Sequence, residues 1–179
     1  MNHKSLFFKY VIPSIIAFAL SGIYAIVDGY FVGNTIGDAG LSAINIAYPI
    51  DALIQALGTG IGMGGAVYYS INAAEKKGKR AEEFIATSWW LLVIVSVIST
   101  IIIYSFSSKI LGLLGADGII LTNATDYIKI IALGAILQIL GTGMMPFIRN
   151  YGNSFWSMFA MVGGFITNIV LDFIFVWIY

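Results

Sequence analysis

Long apolar runs set the first limit on what this chain can become. Residues 11–32, 41–74, 84–106, 128–147 and 155–179 are dominated by Ile, Leu, Val, Phe, Ala and Gly, and about 20 such residues in a helix cross the hydrocarbon core of a bilayer. No water is present there to satisfy open backbone, so segments of this kind must close their own hydrogen bonds as helices. The expected fold is therefore all-α, a polytopic transmembrane bundle of five spans forming a single domain over residues 1–179. Charge content agrees: 10% of the residues are charged, against about 25% in an ordinary soluble domain.

The same composition removes whole classes of function. There are no cysteines, and the one histidine, His3, stands at the N-terminus. Thiolate chemistry, a cysteine–zinc site and an imidazole base are thereby excluded. No nucleophile–base pair or metal-ligand cluster is visible, so the chain is not expected to be an enzyme or to hold a cofactor. Balanced charge without a basic block argues against nucleic acid, leaving membrane lipid as the general environment.

Topology follows from the basic residues. Lys4, Lys9, Lys76, Lys77, Lys79, Arg80 and Arg149 fall on one side of the five spans, and Lys109 and Lys129 on the other. The positive-inside bias puts the N-terminus in the cytoplasm and Tyr179 outside. Lys4 and Lys9 precede an apolar run containing Ala17-Phe18-Ala19, but that small-residue pattern lies within the run, as expected of a retained first helix rather than a cleaved signal. An odd number of spans ending on an aromatic residue implies a chain cut before its next helix.

Several motifs have plain structural readings. Gly60-Ile61-Gly62-Met63-Gly64-Gly65 matches a dinucleotide fingerprint but lacks the preceding strand. The pairs Gly58/Gly62 and Gly60/Gly64 instead form small faces on which another transmembrane helix can pack closely. Gln-x-Leu-Gly-Thr-Gly occurs twice, at 55–60 and 138–143, and we attribute the match to a glycine- and leucine-rich composition. Asn123-Ala124-Thr125 fits a short glycosylation pattern that chance produces often. The charged stretch 75–83 reads as a solvated loop, and Trp89 and Trp90 as anchors at the water boundary.

Asp28 and Asp172 do not fit that background. Asp172 lies in the last span, one helical turn after Asn168, so the two share a face. About 17 residues separate it from Phe155, which at 1.5 Å per residue puts it in the outer half of the span. Asp28, in the antiparallel first span, falls at comparable depth. An ionisable group inside a membrane is costly and marks an ion path or a partner. Desolvation and mutual repulsion both favour the neutral carboxyl, so such a pair takes up a proton or an equivalent cation. The carboxylates and the Asn168 amide oxygen are hard ligands that would accept Na⁺ in its place.

These residues sit within stretches that resemble the multidrug and toxic compound extrusion (MATE) transporter family. The matching segments are Ile12-Pro13-Ser14, Tyr24 to Gly33, Leu41-Ser42-Ala43 to Tyr48-Pro49-Ile50, the glycine-rich second span, Pro146 to Asn153, and Thr167 to Phe175. The resemblance implies an N-terminal lobe lacking its sixth helix and the whole C-terminal lobe. It also implies a bacterial or archaeal plasma-membrane antiporter that exports amphipathic or cationic small molecules in exchange for H⁺ or Na⁺. Asp28, Asn168 and Asp172 would form the cation site, with possible Na⁺, and Pro13 would correspond to a bending point in the first helix. A flippase for lipid-linked precursors would need basic residues for phosphates, and only Lys129 stands near a span end. A non-transporting scaffold built on the glycine faces is the remaining alternative.

Overall fold

In the computed structural model the described residues are 3–35, 37–152 and 154–178. They form α1 (His3–Thr35), α2 (Gly37–Ala74), α3 (Gly78–Leu113), α4 (Gly118–Asn150) and α5 (Ser154–Asp172), followed by a π-helical turn, Phe173–Ile178. No strand occurs among the described residues. Gly37–Ala74, Gly78–Leu113, Gly118–Asn150 and Ser154–Phe175 are long and apolar enough to cross a membrane. The first apolar run lies inside α1, whose 33 residues also exceed the length needed to span. Tyr179, the expected end of the fifth span, is outside the described residues.

The helices are longer than the apolar runs. The glycine-rich stretch 33–40, whose sequence predicts a tight turn between the first two apolar runs, is largely helical, because α1 continues to Thr35 and α2 starts at Gly37, whose φ of +75° is left-handed and suits a residue without Cβ. The polar connection expected between the third and fourth spans shrinks to residues 114–117. At 1.5 Å per residue α3 is about 54 Å long, well beyond an apolar core of about 30 Å. Polar residues such as Lys109 and Asp126 can therefore stay helical outside it. Pro146 does not end α4, which runs on to Asn150.

The turns supply the breaks. After α3, the Ala116 N–H donates to the Leu111 carbonyl at 3.0 Å and the Gly115 N–H to Gly112 at 3.1 Å, with Gly115 at φ +96°. This is a Schellman ending, in which a left-handed glycine lets the chain turn back onto the last carbonyls.

Contacts group the chain into two compact units, residues 1–41 with 152–179, and residues 42–151. In the first, α1 packs along α5 and its π-helical extension. In the second, α3 buries Ser88, Leu92, Ser96, Ile103, Ser107 and Leu111 at steps of four and seven residues. α4 answers with Ala124, Ile128, Ala132, Ala135, Ile139 and Gly143. Small and branched residues alternate on both faces, so the backbones approach closely without a hydrophobic driving force that lipid would not supply.

Candidate cation site

The two residues of the expected site whose side chains are described lie in the first unit. Asp28 is half-buried on α1, and Asn168 is half-buried on α5, the helix against which α1 packs. The Asn168 Oδ1 atom is buried and accepts no hydrogen bond from the described residues. Leaving an amide oxygen in that state costs about 1–3 kcal/mol, and it is an acceptor suited to a bound proton carrier or a hard cation. Asp172 ends α5 one turn after Asn168. Its side chain is outside the described residues.

Local structure around these positions is specific. The Asn34 Nδ2 donates to the Tyr30 carbonyl at 2.8 Å, and the Thr167 hydroxyl to the Gly163 carbonyl at 2.8 Å. Both polar groups are thus turned back onto their own helices. Phe31, three residues beyond Asp28, meets Phe173 edge to face with ring centroids 6.4 Å apart. Phe173 opens the π-helical turn, a geometry that replaces the regular i→i−4 ladder with wider i→i−5 bonds and is enriched at functional sites. Pro13 is an interior residue of α1 and is half-buried. Among the described residues no cluster of His, Cys, Asp or Glu could hold a metal on its own.

The packing glycines divide sharply. A Cβ on Gly62 would collide with the Gly143 carbonyl oxygen, and one on Gly58 with the Thr142 hydroxyl and, at 2.8 Å, the Ile139 carbonyl. Gly60 and Gly64 have nothing within 4 Å. The close approach therefore runs along Gly58 and Gly62 and continues to Gly65, where a Cβ would meet Ser88 and, at 2.8 Å, Phe147. On α4 the matching glycine is Gly143, packed on Leu92 of α3. The two Gln-x-Leu-Gly-Thr-Gly segments hence face each other across the α2–α4 crossing. Sequence reasoning set this pairing aside, although the repeated motif was its signal.

Another polar contact joins the same helices. Gln138 Nε2 donates to Asp51 Oδ1 at 3.0 Å, and Asn150 Nδ2 donates to the Ala66 carbonyl at 2.9 Å. Asp51 carried no assigned role from the sequence, because its partner lies 87 positions away and no local pattern links them.

Comparison with known proteins bears on this arrangement. The model of the MatE family matches residues 13–174. The chain is 33% identical over 177 residues to the multidrug export protein MepA of Staphylococcus saprophyticus, covering 94% of this chain and 38% of that protein. To MepA of Staphylococcus haemolyticus it is 31% identical over 161 residues, covering 90% and 36%. Among solved structures it is similar to the MATE multidrug transporter DinF-BH, with TM-score 0.93, 28% identity, and coverage of 98% of this chain and 40% of that one. It is also similar to a MOP superfamily transporter from Pyrococcus furiosus, with TM-score 0.91, 26% identity, and coverage of 97% and 38%. The chain thus spans little more than a third of the length of the curated relatives it matches.

Proposed function

We propose, from the premise that this chain belongs to the MatE family, that it is the part of a secondary antiporter that binds the coupling cation during export of amphipathic, cationic small molecules. The observation that carries this reading is the buried Asn168 Oδ1, which has no hydrogen-bond partner among the described residues, on the helix packed against the one bearing Asp28. A cation or proton taken up by Asp28, Asn168 and Asp172 would neutralise charge that the membrane interior disfavours. Its release would reverse that balance. If two arrangements of α1 bind the ion differently, occupancy shifts the population between them, and Pro13, lacking an N–H, is where α1 bends most cheaply.

The export of drugs is carried over from relatives named multidrug export proteins and from a similar structure named a multidrug transporter. H⁺ or Na⁺ as the driving ion, a cytoplasmic N-terminus and a plasma-membrane location belong to the same proposal. So does a C-terminal lobe that would complete the substrate cleft. The test is efflux of a fluorescent organic cation from vesicles containing the chain in its full-length context, under a pH or a Na⁺ gradient imposed separately. Asp28→Asn and Asp172→Asn should each abolish ion-driven efflux while leaving the protein folded. Retention of coupled efflux by both variants would remove the carboxylate site, and the gradient that drives the parent protein identifies the ion.

A further inference from the structure

A second, independent site lies at the other chemical extreme of the molecule, where α2 ends in the charged stretch 75–83. That stretch, read from the sequence as a solvated loop, is a loop only over 75–77; residues 78–83 form the first turns of α3. A cavity of about 450 Å³ opens there, lined by Tyr69 and Ala73 of α2, Lys76 of the loop, Glu82 and Ile85 of α3, and Tyr151 just after α4. That volume falls in the range of small-ligand sites, roughly 300–1,000 Å³.

Its wall is chemically uneven in a useful way. Tyr69 and Tyr151 stack at 6.1 Å with an interplanar angle of 16°, and one residue along each of α2 and α3, Tyr68 and Phe84 stack at 5.2 Å. Four aromatic rings gathered at one end of a helix bundle mark the level of the membrane–water boundary, where amphipathic rings are most stable. Of the neighbouring charges, Lys77 and Glu75 are matched to each other, Lys77 Nζ binding Glu75 Oε2 at 2.6 Å. Lys76 and Glu82 form no ion pair among the described residues. Lys76 is moreover held in the left-handed region at φ +58°, a conformation that is uncommon for a residue with a side chain. The cavity therefore offers one ammonium and one carboxylate, neither matched by an ion pair among the described residues, beside aromatic rings of the kind that favour headgroup depth.

We infer that this cavity holds the zwitterionic headgroup of a phospholipid from the adjoining leaflet, with the phosphate on Lys76 and the ammonium on Glu82. A purely anionic headgroup would leave Glu82 facing negative charge, and a simple organic cation would leave Lys76 facing positive charge. A phosphate and an ammonium on one ligand satisfy both. The inference does not depend on the antiport reading, since none of the cation-site residues lines the cavity.

The test is native mass spectrometry of the 179-residue chain released from vesicles of about nine parts phosphatidylglycerol to one part phosphatidylethanolamine. Retained lipid should be enriched in phosphatidylethanolamine about five-fold over the vesicle, the scale of one well-placed ion pair. Glu82→Gln should abolish the phosphatidylethanolamine enrichment, and Lys76→Met, which loses the phosphate contact common to both lipids, should lower the total lipid retained. Lys79→Met, a cation in the first turn of α3 outside the cavity, should leave the enrichment intact. Circular dichroism of each variant separates loss of site from loss of fold. Retention at the vesicle ratio by the parent chain, unchanged enrichment in Glu82→Gln, or an equal loss in Lys79→Met would overturn the inference. Displacement by millimolar glycerophosphoethanolamine would overturn the lipid assignment in favour of a soluble zwitterion, and no displacement is expected.

Discussion

The α1–α5 pair and the α2–α3–α4 bundle use the same apolar vocabulary but treat their inner polar groups differently. Inside the bundle polar side chains are mostly satisfied across or along helices: Gln138 on Asp51, Asn150 on Ala66, Thr100 on the Ala132 carbonyl at 3.1 Å, and Ser96 on Val93 at 2.8 Å. Thr125 Oγ1 is the exception. In the α1–α5 pair the buried amide oxygen of Asn168 is left without a donor among the described residues. A satisfied network fixes one arrangement, whereas an unsatisfied acceptor stores a cost that a ligand can relieve. On the proposed function the bundle would serve as the frame and the pair as the element that responds to the ion.

The sharpest way to break this contrast is to attack the frame at its narrowest point. Gly62→Leu places a side chain against the Gly143 backbone, which cannot swing aside. Overpacking costs about 1–3 kcal/mol even where side chains can adjust, so the loss should be about 3 kcal/mol or more and the yield of folded protein in detergent should collapse. Gly64→Leu, in open space, should leave the unfolding midpoint nearly unchanged. If the two behave alike, the crossing is not where stability resides.

A smaller effect is expected at the polar bridge. Gln138→Leu strips Asp51 of its donor inside the bundle, and unfolding in detergent should show a loss of roughly 1–2 kcal/mol. Asn168→Leu should behave in the opposite way. Replacing an amide whose oxygen has no donor among the described residues by an apolar group of similar size removes a desolvation cost, so stability should hold or rise slightly while any effect of Na⁺ or pH on the thermal midpoint disappears. A clear destabilisation by Asn168→Leu would mean that the amide is structural and would erase the contrast.

The smallest effect belongs to the surface. The Lys77 ammonium, hydrogen-bonded to Glu75, holds the Glu75 carboxyl below its ordinary value. A depressed carboxyl stabilises the folded state above the free carboxylate range and loses that contribution as pH falls through the lowered value. Both partners are solvated, so Lys77→Gln should shift neither the neutral nor the acid melting temperature measurably.

Much of this was legible in advance because membrane helices announce themselves by local composition. Each apolar run predicts its own helix without knowledge of any other segment, which is why all five appear, lengthened where polar ends remain helical in water. Asp28, Asn168 and Asp172 stood out as candidates, since charged and amide side chains are conspicuous in an apolar run wherever the chain folds. Which glycines matter was less accessible: Gly58, Gly60, Gly62 and Gly64 are equivalent in sequence, and only the rotation of α2 against α4 separates two at the contact from two in open space. Asp51 was overlooked for the same reason, its meaning lying entirely in Gln138.

By itself, then, the sequence determined the solvent of this protein, its helices and the residues that are out of place in a bilayer, because each of these depends on transfer free energies that act residue by residue. Tertiary structure alone decided which small faces touch, that Gln138 meets Asp51, that two tyrosines close a charged cavity at the end of α2, and that the Asn168 oxygen is buried without a donor among the described residues. Those are properties of pairs distant in the chain, and pairs are fixed only when helices choose their rotation and neighbours.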